Sequence, residues 1–324
     1  MPERFIFRAG VWKPRTSPDT FQGAGEEGLK WLQEVKERFG VEVATEVATP
    51  EHVEAALRAG IDYLWIGART SANPLAVQAI VESLKLIDDR SRIVESGKLK
   101  GILIKNPVNN DTGLWLGNIA RLERTGLPVM AVHRGCGHQP CWSMAHRVRL
   151  ERPDIPMLLD PSHMSGDAKR VPELMKKIAE LGLDGAMIEV HCSPEAALSD
   201  AKQQITPSQL ANALYPILSR LCLASLICPP TDEKELNWLR AEIDELDERL
   251  WDTIAARMEV SKRIGEWKKE RGIPPLQPER YQEIKEKLLN PYPTSPTRGG
   301  ELRTEFKLAL WEMIHEESLK MQRN

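Results

Sequence analysis

The sequence is short of cysteine, of net charge and of long apolar runs, and each shortage excludes a class of protein. Five cysteines stand among 324 residues. Their odd number and irregular spacing argue against a disulfide framework and for free thiols in a reducing compartment. Lysine and arginine (44) nearly balance aspartate and glutamate (47), leaving a formal net charge of −3. Without a bulk basic field the chain has no general attraction for nucleic acid, and any anion must be held by local clusters. The longest apolar run, LCLASLIC, is too short to cross a bilayer, and the opening MPERFIF has no apolar leader segment. These absences predict a soluble, cytoplasmic protein with neither nucleic acid nor membrane as partner.

What is present falls into two halves. Up to about Leu223, β-rich runs alternate with helical patterns such as Glu26–Phe39, Pro50–Ala59 and Pro74–Leu86. The strand candidates are RFIFRAG, VEVATEV, DYLWIGART, GILIKNP, PVMAVHRG, PMLLDPSH and GAMIEVH. Strict alternation predicts a parallel sheet in an α/β fold, and near-continuous apolar strands predict that both its faces are covered. Every strand candidate ends in polar residues, which favours a barrel whose strand ends converge over an open sheet with one switch point. The count is seven where a closed (β/α)8 barrel needs eight.

After the linker LICPPTDEKE, Glu233 to Arg271 contains one glycine, Gly265, and no proline. Leu236, Ile243, Leu250 and Ile264 share one heptad position; Leu239, Leu246, Val260 and Trp267 share another. The pattern predicts one helix about 58 Å long, with shorter helices over Pro278–Leu289 and Glu301–Gln322. So long an apolar stripe cannot be buried by two short partners, which predicts a homodimer through this region. The domains expected are 1–222, a linker at 223–232, and 233–324.

Two constellations in the first half carry chemistry. Lys13, Arg15, Arg69, Lys105 and Arg134 stand at strand ends, and five cations at one barrel mouth would repel one another unless anions neutralise them. His163, Glu189 and Asp200 offer one nitrogen and two oxygen ligands, suited to Mn, Fe, Co or Zn. A structural ion pair is the bland alternative for such a cluster.

With KPRTSP, GARTSANP, KNPVN, HRG, DPSH and IEVHCSP…ALSD in this order, residues 5–222 resemble 3-deoxy-D-arabino-heptulosonate 7-phosphate (DAHP) synthase. The resemblance is to the short bacterial subclass whose members can carry a C-terminal chorismate mutase. It implies condensation of phosphoenolpyruvate with erythrose 4-phosphate, assisted by a divalent metal ion. Carried over, Arg69, Lys105 and Arg134 hold phosphoenolpyruvate, and Lys13 lies near its carboxylate and reacting carbon. Arg15 and Thr16 position erythrose 4-phosphate, Glu46 is an active-site acid, and His163, Glu189 and Asp200 are metal ligands. A related class using arabinose 5-phosphate shares the barrel. Family members begin with a strand bearing Gly-Pro-Cys-Ser, whose cysteine is a fourth metal ligand, whereas MPERFIFRAG matches the second strand. The expectation is therefore a barrel lacking its first β/α unit, with seven strands and three protein ligands. Cys136, Cys141 and Cys192 are read as loop cysteines and not as substitutes.

In the second half, Arg257 occupies a heptad position that calls for an apolar residue. Lys268 lies about three turns and ~16 Å further along nearly the same helical face, leaving a gap suited to a small dicarboxylate. Arg240 lies ~25 Å from Arg257 on the same helix, so it reaches such a site only across an antiparallel dimer. LRAEIDELDERL, IAARMEVSKRIGEWK, QPERY and IHEESLKMQ resemble the all-helical chorismate mutases. The resemblance implies a three-helix domain that dimerises and rearranges chorismate to prephenate without a cofactor. Arg240 (from the partner), Arg257, Lys268, Gln277, Arg280, Ser318 and Gln322 would line its site. Tyr281 departs from the pattern, since many relatives carry a substrate-contacting Glu there. The whole reads as a bifunctional enzyme of aromatic biosynthesis, transferase and isomerase. The alternative is an active mutase carrying a catalytically silent barrel that serves as a binding or regulatory module.

Overall fold

A computed structural model describes residues 5–15, 17, 19–89, 99–214, 231–289 and 302–323. The chain divides into two compact units, Met1–Glu242 and Ile243–Asn324. The stretch 223–230 of the expected linker lies outside the described residues, as does Thr16. No helix among the described residues is long and apolar enough to cross a membrane.

The first unit is built on seven strands: β1 (Ile6–Arg8), β2 (Glu42–Val47), β3 (Tyr63–Ile66), β4 (Gly101–Lys105), β5 (Val129–His133), β6 (Met157–Leu159) and β7 (Gly185–Ala186). All neighbours are parallel and the order is sequential, so the sheet curls as a barrel wall in which β1 and β7 do not pair among the described residues. Strand residues alternate between two apolar layers. Ala44, Tyr63, Trp65, Leu103, Val132 and Met187 cluster on one face. Val43, Val47, Leu64, Ile66, Ile102, Ile104 and Ala131 pack on the other with helix residues such as Leu32, Val53, Ile80, Trp115 and Ile119. This doubly covered sheet is why the strands read as continuous apolar runs.

Local signals place the helices. Thr49 and Asp111 accept from the backbone N–H groups of His52 and Leu114, capping Pro50–Arg58 and Thr112–Glu123. Gly40, at φ 63°, ends Glu26–Phe39 in the left-handed conformation that glycine adopts without strain. β7 is shorter than the run GAMIEVH suggests. Its neighbour β6 stops at Leu159 because Pro161, which has no N–H, opens the helix Pro161–Ser165. Beyond Ala186 the chain stays extended by single bonds, from Met187 N–H to the Leu159 carbonyl (2.7 Å) and from Glu189 N–H to the Ser162 hydroxyl (3.0 Å).

The helix Thr231–Lys269 has 39 residues, close to the expected span. Its residues up to Glu242 pack within the first unit. Trp238 is buried, donates its indole N–H to the Leu181 carbonyl (3.1 Å) and stacks on His146 at 5.4 Å. His146 also bonds Glu242 through Nδ1.

In the second unit the remainder of that helix is joined by Pro278–Leu289 and Thr304–Arg323. Gly265 explains itself by space. A Cβ there would lie 2.5 Å from Gln322 Cα and 2.7 Å from its carbonyl oxygen, so the glycine lets two helix backbones nearly touch. Ile243, Leu246, Leu250, Val260, Ile264 and Trp267 remain exposed.

Candidate active sites

The strand ends of the first unit gather most of the anticipated side chains. Lys105, at the end of β4, is buried and pairs with the fully buried Asp160 at 2.6 Å. Asp160 caps the helix Pro161–Ser165 by accepting from His163 N–H, and a carboxylate oxygen lies 2.9 Å from His163 Nδ1. That contact turns Nε2 toward Glu189, 4.0 Å away. A carboxylate holding one ring nitrogen so that the other faces outward is the usual support of a metal-binding histidine. Glu189 is also held by Gln203 Nε2 (2.8 Å) and by Arg8 (3.0 Å). Asp200 pairs with Lys13 (2.6 Å) and Arg15 (3.4 Å). Ligand atoms from His163, Glu189 and Asp200 all lie within 4.8 Å of one another, and theirs is the one such group among the described residues. One imidazole and two carboxylates suit a divalent first-row ion, so the residues fit the group that the sequence implies.

The electrostatics separate the acids. Burial opposes ionisation of Glu189, but Arg8, His163, Lys13 and Lys105 together hold its carboxyl down at about 2. Asp200 is likewise depressed against burial, by Lys13 and then Arg15. Asp160 is pulled well below its ordinary value because His163 and Lys105 outweigh full burial. Glu46 goes the other way: burial raises it despite Lys105 and Arg8. Its carboxyl fits because the neighbouring residue is Gly67, where a Cβ would stand 2.0 Å from Glu46 Oε1. Carboxyls pushed in opposite directions can divide ligand and acid roles between them.

Arg134 follows β5, and its backbone N–H donates to Asn106 Oδ1 (2.7 Å). Burial lowers its guanidinium, Asp160 opposes this, and Arg69 adds to the lowering. Arg69 sits in the short helix Ala68–Ser71 beyond β3, exposed. Trp12, beside Lys13, stacks on His52 at 4.2 Å and 5°, steadying the cationic loop.

Arg8 and Asp160, which the structure places in the charge network around Glu189 and His163, were not singled out from the sequence. Arg8 lies within the strand run RFIFRAG, and its ion pair with Glu189 and its position over Trp65 (5.3 Å) join residues far apart in the chain. Asp160 carried a signal, since it sits in DPSH beside the histidine.

The second unit assembles a smaller cluster. Arg257 donates to the Ser318 hydroxyl and to the Ile314 carbonyl (3.4 Å). Lys268 donates to the Pro275 carbonyl (2.6 Å) and to Gln322 Oε1 (3.3 Å). Burial lowers both cations. Gln277 and Arg280 are exposed, with Arg280 paired to Glu283 at 2.5 Å, and neither joins the cluster. Arg240 is exposed on the part of the long helix that belongs to the first unit.

Fold and cluster define a β/α-barrel protein that concentrates cations beside a metal-type donor set, followed by a helical domain with its own cationic cluster. The chain belongs to the DAHP synthetase I family, whose profile matches residues 3–88 and 141–218, and residues 239–323 match chorismate mutase type II. It is 31% identical over 203 residues to the phospho-2-dehydro-3-deoxyheptonate aldolase of Thermotoga maritima, covering 62% of this chain and 56% of that protein. It is 24% identical over 229 residues to the 2-dehydro-3-deoxyphosphooctonate aldolase of Wolinella succinogenes, covering 66% and 86%. The crystal structure of the Thermotoga DAHP synthase superposes with a TM-score of 0.56 at 25% identity, over 68% of this chain and 61% of that one. The chain thus spans little more than half the length of the Thermotoga relative.

Proposed function

We propose that the chain is bifunctional: the barrel condenses phosphoenolpyruvate with erythrose 4-phosphate to DAHP, and the helical domain converts chorismate to prephenate. The observation that carries the first activity is the gathering of Lys13, Arg15 and Lys105 around His163, Glu189 and Asp200. Lys105, Arg134 and Arg69 would hold the phosphate and carboxylate of phosphoenolpyruvate, with Lys13 beside its reacting end, offsetting charge as two anions approach. Arg15, with Thr16 of the same loop, would receive the sugar phosphate. Glu46, whose carboxyl burial pushes above its ordinary value, would serve as the acid that gives a proton to oxygen at the reacting centre. His163, Glu189 and Asp200 would hold a divalent metal, which supplies Lewis-acid polarisation of the aldehyde when bound. The assembled set supports this reading over a silent barrel.

In the helical domain Arg257 and Lys268 would hold the two carboxylates of chorismate in its compact conformer and stabilise charge on the breaking ether oxygen. Ser318 orients Arg257, and Gln322 orients Lys268. The exposed apolar residues of the long helix support an antiparallel homodimer through which the partner's Arg240 would reach the site, beside Gln277 and Arg280 of the same chain as Arg257 and Lys268.

The test is a set of assays on one purified sample. Phosphoenolpyruvate loss is followed with added Mn²⁺ and either erythrose 4-phosphate or arabinose 5-phosphate, and chorismate loss is followed separately. We expect turnover with the four-carbon sugar and with chorismate, and loss of the first alone on treatment with a chelator. Chorismate loss without phosphoenolpyruvate loss would leave the silent-barrel alternative standing.

A further inference from the structure

One side chain beside the helical cluster has no part in the scheme above. His315 precedes Ser318 by three residues and Gln322 by seven on the helix Thr304–Arg323, so the three lie along one face. Ser318 and Gln322 bond Arg257 and Lys268, so that face is the one turned to the two cations. The His315 ring is fixed by its neighbours, with centroids 5.0 Å from Tyr281 and 5.2 Å from Trp311. Its Nε2 is buried and has no hydrogen-bond partner among the described residues. A buried polar nitrogen left unpaired destabilises the free protein, and a bound group that reaches it recovers the loss. Burial, then the charges of Arg257 and Lys268, lowers the imidazole from its ordinary value, so at neutral pH the ring adds no third cation. A neutral imidazole can donate to or accept from a hydroxyl.

Resting on the chorismate reading, we infer that His315 Nε2 is a specificity contact for the ring hydroxyl of the bound substrate. The two cations match the carboxylates and the ether oxygen of chorismate, and the ring hydroxyl falls to the site's uncharged polar groups, among which His315 Nε2 is buried and has no partner among the described residues. A site that hydrogen-bonds a substrate hydroxyl discriminates against analogues lacking it, because the site's own polar group is then stranded.

The experiment uses the full chain and two substrates, chorismate and its analogue without the ring hydroxyl. His315→Phe keeps a flat ring between Tyr281 and Trp311 and removes the nitrogens. The expected result is a fall of about tenfold in kcat/KM for chorismate, with the value for the analogue within about twofold of the parent. His315→Gln, which retains a polar tip, recovers part of the chorismate rate. His315→Phe melts no lower than the parent, since it removes an unpaired buried nitrogen. Unchanged kcat/KM for chorismate in His315→Phe overturns the assignment. An equal fall for both substrates marks a packing role and overturns it too. If the parent chain leaves chorismate untouched, the reading beneath fails first and carries the assignment with it.

Discussion

Replacing Gly265 by alanine sets two effects of opposite sign against each other. In an open helix the change stabilises by ~1 kcal/mol, because glycine gives up more backbone freedom than alanine. Here the new Cβ would stand 2.5 Å from Gln322 Cα and 2.7 Å from its carbonyl oxygen. Carbon atoms in contact prefer ~3.5–4.0 Å, so the two helices must part by about 1 Å. The obstacle is backbone and cannot rotate away. Such overpacking costs ~1–3 kcal/mol, which outweighs the propensity gain and leaves the variant up to ~2 kcal/mol less stable. For a domain of this size each lost kcal/mol lowers the midpoint by about 4–8 °C. Separation also breaks the bond from Lys268 Nζ to Gln322 Oε1, already long at 3.3 Å. Thermal unfolding followed by helical circular dichroism and by chorismate loss reads both consequences. A variant that melts higher and turns over chorismate at the parental rate would refute the close approach of the two helices.

Asp160→Asn strands the buried Lys105 ammonium without its partner at 2.6 Å, so urea unfolding of the barrel should show a loss of ~3–5 kcal/mol; a loss below ~1 kcal/mol would contradict the pairing. His133 is fully buried, with Nε2 bonded to the Pro140 carbonyl at 2.5 Å, and burial holds its pKa down at about 4. Its folded value lies below the unfolded one of ~6.5, so its contribution is complete above that pH and is lost, by roughly 3 kcal/mol at most, as pH falls toward 4. Urea midpoints measured across this window should fall in the parent and flatten in His133→Asn; identical slopes would sink the argument. Arg257→Lys keeps the charge but loses the fork that reaches both the Ser318 hydroxyl and the Ile314 carbonyl, and should lower kcat for chorismate on the order of 10²-fold. A change under about threefold would show that charge alone suffices there.

Much of the architecture was legible because its signals are local. Glu26–Phe39 and Pro278–Leu289 have the limits that their patterns suggest, the first closed by Gly40 and the second opened by proline. The strands were recognisable as apolar runs because helices cover one side of the sheet and side chains fill the other. The same double coverage hid Arg8, since alternation cannot tell inward from outward when both faces are apolar, and its partner Glu189 lies most of the domain away in sequence. Lys13, Lys105, His163, Glu189 and Asp200 were found from motif order, and the structure draws them into one charge network. Gln277 and Arg280 are exposed, and Arg280 is paired to Glu283. Motif matching places residues by likeness to a family and carries no information on which of them the fold leaves exposed.

The seating of Trp238 against Leu181 and His146 changes how this protein can be taken apart. A cut in the stretch before residue 231 would release a barrel with an empty indole slot and Trp142, its edge-on neighbour at 6.1 Å, laid open. A cut after Glu242 would keep that slot filled, but would take Arg240 away from the helical fragment. The twelve residues 231–242 belong to the first unit and run without a break into the helix on which the second is built. With Arg240 serving the helical site as proposed, no single cut leaves each half its full set, and the two proposed activities are best dissected by point substitutions in the intact chain.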